Sequence, residues 1–135
     1  MTQTEKRTRS MPGAELFFGE SVAQYLADLS DEAYASETCI EGLLLGKLYF
    51  DDRGTYCIVS GLTQDLSRIS NAVGWFRSCE GDCTMTQADV RKVQSLFGYT
   101  KVYAIAVDCS GGEMAMYSVD NGVARKVPSA MVENL

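Results

Sequence analysis

Apolar residues between Leu16 and Leu29 recur at helical spacing, with Phe18, Val22, Tyr25, Leu26 and Leu29 on one stripe. That period predicts an amphipathic helix with one buried face, continued as helix or turn through Asp31–Ala35. Ile40 to Phe50 is an apolar-rich run broken by Gly42 and Gly46, which suits a buried strand. Asp51-Asp52-Arg53-Gly54 reads as a turn, and Thr55 to Leu62 returns with strand formers Tyr56, Ile58 and Val59, giving a β-hairpin. After a polar loop over 63–71, Ala72 to Phe76 is a third strand. Residues 77–85 are a loop, and Thr86-Gln87-Ala88-Asp89 has the form of a capped helix start. Val90, Val93, Leu96 and Phe97 supply that helix's apolar stripe, which stops near Gly98. Val102–Val107, Met114–Val119 and Val123–Val127 are three further strands, turned by Gly111-Gly112 and by Asn121-Gly122. The order predicts one α+β domain, a mostly antiparallel sheet packed against helices. Residues 1–13 are polar, carry Lys6, Arg7 and Arg9, and read as a flexible N-terminal arm ahead of a domain over 14–135.

Composition narrows the function classes. The 135 residues suffice for a core without disulfides or a structural metal. A net charge of −6 argues against a nucleic-acid module with a basic face. The chain has no His, which removes His bases, His-paired nucleophiles and imidazole metal ligands. No segment has the length and apolarity of a membrane span or the form of a signal peptide, so no membrane partner is expected. Five irregularly spaced Cys suggest reduced thiols and a cytoplasmic location.

Two stretches carry a more specific pattern: Cys39-Ile40-Glu41-Gly42-Leu43-Leu44-Leu45-Gly46, and Gly74-Trp75-Phe76-Arg77-Ser78-Cys79 followed by Thr86-Gln87-Ala88-Asp89. Together with the element order over about 16–127, they resemble the JAB/MPN family, whose active members are JAMM zinc proteases. The resemblance implies a single MPN-like (cytidine-deaminase-like) domain with a mostly antiparallel mixed β-sheet and two main helices. In that family two His and an Asp hold zinc, a Glu is the general base, and a Ser helps hold the oxyanion. Here the His positions are Arg77 and Cys79, the Glu position is Cys39, the Ser position is Thr86, and only Asp89 is kept. Guanidinium cannot ligate a metal. Glu37 and Glu41 stand two residues either side of Cys39, about 6–7 Å along a strand, and neither replaces the base. A catalytic zinc needs three protein ligands and an open water site. The resemblance therefore implies a degenerate member: a catalytically inactive MPN-like domain acting as a protein–protein interaction or scaffold module. Its expected partners are another MPN domain, a ubiquitin-like protein or a second copy of itself, with no cofactor.

Cys39, Glu41, Arg77, Cys79, Thr86 and Asp89 thus mark a vestigial cleft. Cys39, Cys79, Cys83 and Asp89 are the alternative constellation: a zinc site through Cys ligands, or a redox or hydrolytic site reusing the cleft, with Cys79–Cys83 as one candidate disulfide. The competing reading is that these Cys only fill space. Thr86 and Asp89 have an ordinary role as a helix cap. Arg77 either fills the metal position and pairs with Asp89, or lies on the surface near Glu80 and Asp82. Trp75 and Phe76 read as core or as partner-contact aromatics, and Met114 and Met116 share one strand face.

Overall fold

The computed structural model describes residues 4–132. The strands are β1 (Thr4–Lys6), β2 (Leu16–Gly19), β3 (Ile40–Asp51), β4 (Gly54–Thr63), β5 (Ala72–Cys79), β6 (Val102–Asp108), β7 (Met114–Asp120), β8 (Val123–Lys126) and β9 (Ser129–Val132). Helix α1 spans Glu20–Ala35, α2 spans Gln87–Phe97, and a 3-10 stretch covers Leu66–Asn71. One sheet runs β8-β7-β6-β5-β3-β4-β2-β9, with β1 beside the far end of β3.

This architecture corrects the expected one. Strands hold 46% of the described residues, and the eight-strand path curls into a half-barrel rather than forming a helix-packed MPN sheet. The sheet is mixed, as expected, and its antiparallel ladders are on the whole the longer ones. The β1–β3, β2–β4, β2–β9 and β5–β6 ladders are parallel, equal in number to the antiparallel ladders β3–β4, β3–β5, β6–β7 and β7–β8. Much of the difference lies at the chain's two ends. Leu16-Phe17-Phe18 is a strand buried on both faces, not the first turn of a helix. Residues 129–132 pair with it in parallel and extend the sheet.

The curl has a local cause. The β3–β4 register shifts between Leu45 and Gly46, and the β3–β5 register between Leu44 and Leu45. Such irregularities bend a strand and increase its twist. The backbones there approach so closely that a Cβ at Gly46 would strike the Ile58 carbonyl oxygen, and one at Gly74 the Tyr103 carbonyl oxygen. Only glycine fits at either position.

Each helix covers part of one sheet face. Val22, Leu26, Leu29 and Ala33 of α1 pack with Phe76, Ile105 and Val107. Val90 and Val93 of α2 pack on the other face with Trp75, Ala104, Ala106 and Tyr117. Trp75 and Phe76 are therefore both core residues, on opposite faces. Tyr25, placed on the buried stripe by its spacing, is 42% exposed. A third cluster of Ala14, Phe17, Tyr49 and Tyr56 has no helix over it. Its cover comes from the N-terminal segment expected as an arm. Arg9 lies 4.7 Å above the Tyr56 ring and Arg7 5.3 Å above that of Tyr49. Arg9 is buried, donates to the Ala14 carbonyl at 2.8 Å and pairs with Asp51 at 2.7 Å. This end of the sheet is thus held by a buried ion pair and cation–π contacts.

Candidate functional site

The constellation marked in the sequence converges where β3 begins, β5 ends and α2 starts. The β3–β5 register sets Ile40 opposite Ser78 and Glu41 opposite Arg77. Cys39 and Cys79 stand next in line, with Cα atoms 4.5 Å apart, and are joined as a disulfide. This corrects two expectations. The pairing is Cys39–Cys79 rather than Cys79–Cys83, and the thiols of the cleft are not all reduced. Cys83 is free, half-buried and packed against the α2 cluster.

Arg77 points along the same face as Trp75 and is 7% exposed. Its guanidinium donates to the carbonyls of Asp82 (3.1 Å), Thr84 (3.0 Å) and Val107 (3.4 Å), and pairs with Asp89 Oδ2 at 3.3 Å. Of the two placements open in the sequence, the inward one is found. The fork of donors uses nearly its whole span, which a Lys could not do. Asp89 also serves the helix. Its Oδ2 accepts from the Thr86 backbone N–H at 2.9 Å, while Thr86 Oγ1 accepts from the Asp89 N–H at 3.1 Å. That is a complete capping box, satisfying two N-terminal donors of α2. One carboxylate therefore caps the helix and anchors the arginine.

The loop over 80–85 is fixed around this centre. Asp82 accepts from the Thr84 side chain and N–H, which holds its carboxyl below the usual range. Asp108 accepts from Ser110 and from the Gly81 N–H (3.2 Å), and its carboxyl is likewise lowered, chiefly by Ser110. Tyr117 donates its hydroxyl to the Cys83 carbonyl at 3.1 Å. Glu41 does not reach the centre. Its Oε1 accepts from Trp75 Nε1 at 3.3 Å and pairs with Lys92 of α2 at 3.2 Å. Cys109 packs on the α1 side of the sheet, its N–H donating to the Cys79 carbonyl at 3.0 Å, and burial pushes its thiol up.

Among the described residues, no group of three or more His, Cys, Asp or Glu side chains is placed to hold a metal ion. Cys39, Cys79, Cys83 and Asp89 do not form a ligand set, because two of the sulfurs bond each other and the carboxylate serves Arg77 and Thr86. No helix among the described residues is long and apolar enough to cross a membrane.

A second polar centre escaped the sequence. Glu15 accepts from the buried Tyr103 hydroxyl at 2.9 Å and pairs with Lys101 and Arg125, each at 3.4 Å. Burial, then Glu15, pushes the Tyr103 phenol up. These residues come from three separate parts of the chain, and only Lys101 and Tyr103 are near one another in sequence.

A scan against protein-family models and a search of curated proteins both return no match. Solved structures do share the fold. One is the solution structure of protein DSY2949 from Desulfitobacterium hafniense, 11% identical, which superposes with a TM-score of 0.59 over 89% of this chain and 94% of that one. At that identity the likeness concerns the fold alone.

Proposed function

We propose that the chain is a non-catalytic interaction module that associates through its sheet edges, with a second copy of itself as the first partner to test. The observation that carries this is the self-satisfied centre. Arg77, Asp89 and Thr86 saturate one another, and Cys39 and Cys79 are bonded together. Hydrolysis needs a base, a nucleophile or an open metal position. The residues standing where the resemblance would put them are already engaged. Among the described residues, no buried side-chain nitrogen or oxygen lacks a partner, so nothing buried is held in reserve for a ligand.

The sheet offers the contact surface. Within the described residues β9 pairs only with β2 and β8 only with β7, and each leaves one edge open. Met131 on β9 is 57% exposed and Val123 on β8 is 66% exposed. Open strand edges with apolar side chains are templates for pairing with another strand. A cytoplasmic location, the expectation from composition, fits such a module and makes the Cys39–Cys79 bond a responsive one rather than a permanent staple.

Sedimentation velocity across micromolar concentrations tests association. The expected result is a concentration-dependent dimer that Met131→Lys converts to monomer, since a charge on an open edge opposes strand pairing. A wild-type protein that stays monomeric throughout refutes the self-association.

A further inference from the structure

We infer that the Cys39–Cys79 disulfide is a thiol-exchange site, entered at Cys39, that takes uncharged or cationic low-molecular-weight thiols in preference to anionic ones. The inference is independent of self-association. Three observations converge. The two cysteines differ in exposure: Cys39 is an exposed residue, whereas Cys79 is half-buried at the end of β5. An incoming thiolate therefore reaches the Cys39 sulfur first, and access governs which sulfur is attacked. A crevice of about 150 Å³ adjoins Cys39, lined also by Tyr34, Glu37, Thr38, Glu80 and Cys109. That volume admits a thiol of a few heavy atoms. Glu37 and Glu80 are both exposed, and among the described residues neither has an ion-pair partner. Both residues line the crevice, so negative charge without an ion-pair partner stands beside Cys39, which disfavours an anionic thiol relative to a cationic one.

The neighbouring Cys109 does not serve as the attacking group. It is 8% exposed, and its burial disfavours the thiolate. The reductant comes from solution. In the first step a thiolate RS⁻ attacks the Cys39 sulfur. The Cys39–S–S–R bond forms, the Cys39–Cys79 bond breaks, and Cys79 leaves as a thiolate that takes a proton from water. In the second step another RS⁻ attacks the sulfur of the bound R group. RSSR departs and Cys39 is released as a thiolate, which is protonated in turn. Two RSH are oxidised to RSSR as one protein disulfide is reduced to two thiols.

The test uses the full chain, purified without reductant. Three small thiols are compared at equal thiolate concentration and low ionic strength: cysteamine (cationic), 2-mercaptoethanol (neutral) and 2-mercaptoethanesulfonate (anionic). Reactions are quenched by alkylation and mapped by peptide mass spectrometry. The mixed disulfide is expected on Cys39, with Cys79 alkylated in the same molecules. Cysteamine is expected to react at least about threefold faster than the sulfonate, a gap that closes with added salt. Glu37→Gln combined with Glu80→Gln is expected to narrow the gap between cysteamine and the sulfonate to less than about twofold, with the anionic probe gaining the most rate and the 2-mercaptoethanol thiolate gaining less. Alkylation of Cys39 and Cys79 before any thiol is added overturns the inference, as do equal rates for the three probes or adducts on Cys79.

Discussion

Replacing Arg77 by Met keeps an apolar stem of similar length and removes the guanidinium. Four interactions are lost: donation to the carbonyls of Asp82, Thr84 and Val107, and the pair with Asp89. At about 1 kcal/mol for a typical hydrogen bond the four sum to about 4 kcal/mol. Asp82 and Thr84 lie in an exposed loop, so water replaces part of what their carbonyls lose. The Val107 carbonyl lies on a buried strand, and Asp89 is 15% exposed at its side chain, so neither is fully rehydrated. The net expected loss is therefore about 2–3 kcal/mol, consistent with breaking a largely buried pair from one side. For a chain of this length that lowers Tm by about 6–15 °C. Calorimetry and urea unfolding measure it, with an unchanged urea slope confirming the same folded state. Arg77→Lys should recover less than half, because one ammonium cannot span the acceptors. Asp89→Asn alone should cost about 2 kcal/mol, through the cap and the Arg77 pair together, and the double variant should fall short of the sum by about 1 kcal/mol, because both single variants lose that pair. A Met variant within about 0.5 kcal/mol of wild type, or strict additivity with Asp89→Asn, would refute the view of Arg77 as the centre's anchor.

Other outcomes follow from other parts of the fold. The Arg9 guanidinium, through its side-chain hydrogen bond, holds the Asp51 carboxyl well below its usual range. A depressed carboxyl contributes stability that is present above the unfolded value, about pH 4, and is lost as pH falls through the folded one. Asp51→Asn should therefore flatten the part of the acid-unfolding curve below about pH 4, as followed by circular dichroism, and an unaltered curve would exclude the linkage. Replacing Cys39 and Cys79 together by Ser opens a loop with a sequence separation of 40. Chain entropy sets the loss at up to about 4 kcal/mol, and reduced wild type should unfold at nearly the same urea concentration as the double variant. Gly74→Ala drives a Cβ into the Tyr103 carbonyl and should destabilise by at least about 2 kcal/mol, whereas Gly13→Ala meets no atom within 4 Å and should be neutral or slightly stabilising. Equal thermal shifts for the two would contradict the close strand approach.

What the sequence disclosed was local. Thr86 and Asp89 sit three apart, so their cap was readable, and the α2 stripe followed from them. The β3–β4 hairpin and the β6 to β8 meander join neighbouring runs and were readable for the same reason. The parallel ladders were not. Leu16-Phe17-Phe18 is buried on both faces, so its apolarity has no period that separates strand from helix. Ser129–Val132 alternates too weakly to announce a strand and gains its place only by pairing with β2. Arg77 beside Asp89 could be anticipated as a compensating charge, but its three carbonyl acceptors depend on the path of the 80–85 loop. The Cys39–Cys79 bond required the β3–β5 register, which spacing alone does not supply.

The pairing of β2 with β9 also governs how the molecule is assembled. Leu16 is matched with Ser129, so a strand near one end of the described chain waits for a strand near the other. Contacts of such sequence separation close late, because the loop entropy must be spent before they return anything. While a ribosome is still translating, the Leu16-Phe17-Phe18 edge has only β4 beside it, and an apolar edge in that state is exposed to any passing strand. The hairpin and α1 can form as soon as they emerge, but the half-barrel acquires its last strand only once residues 129–132 are free. Chains interrupted before that point would carry an unfinished edge and be the natural targets of chaperones and proteases.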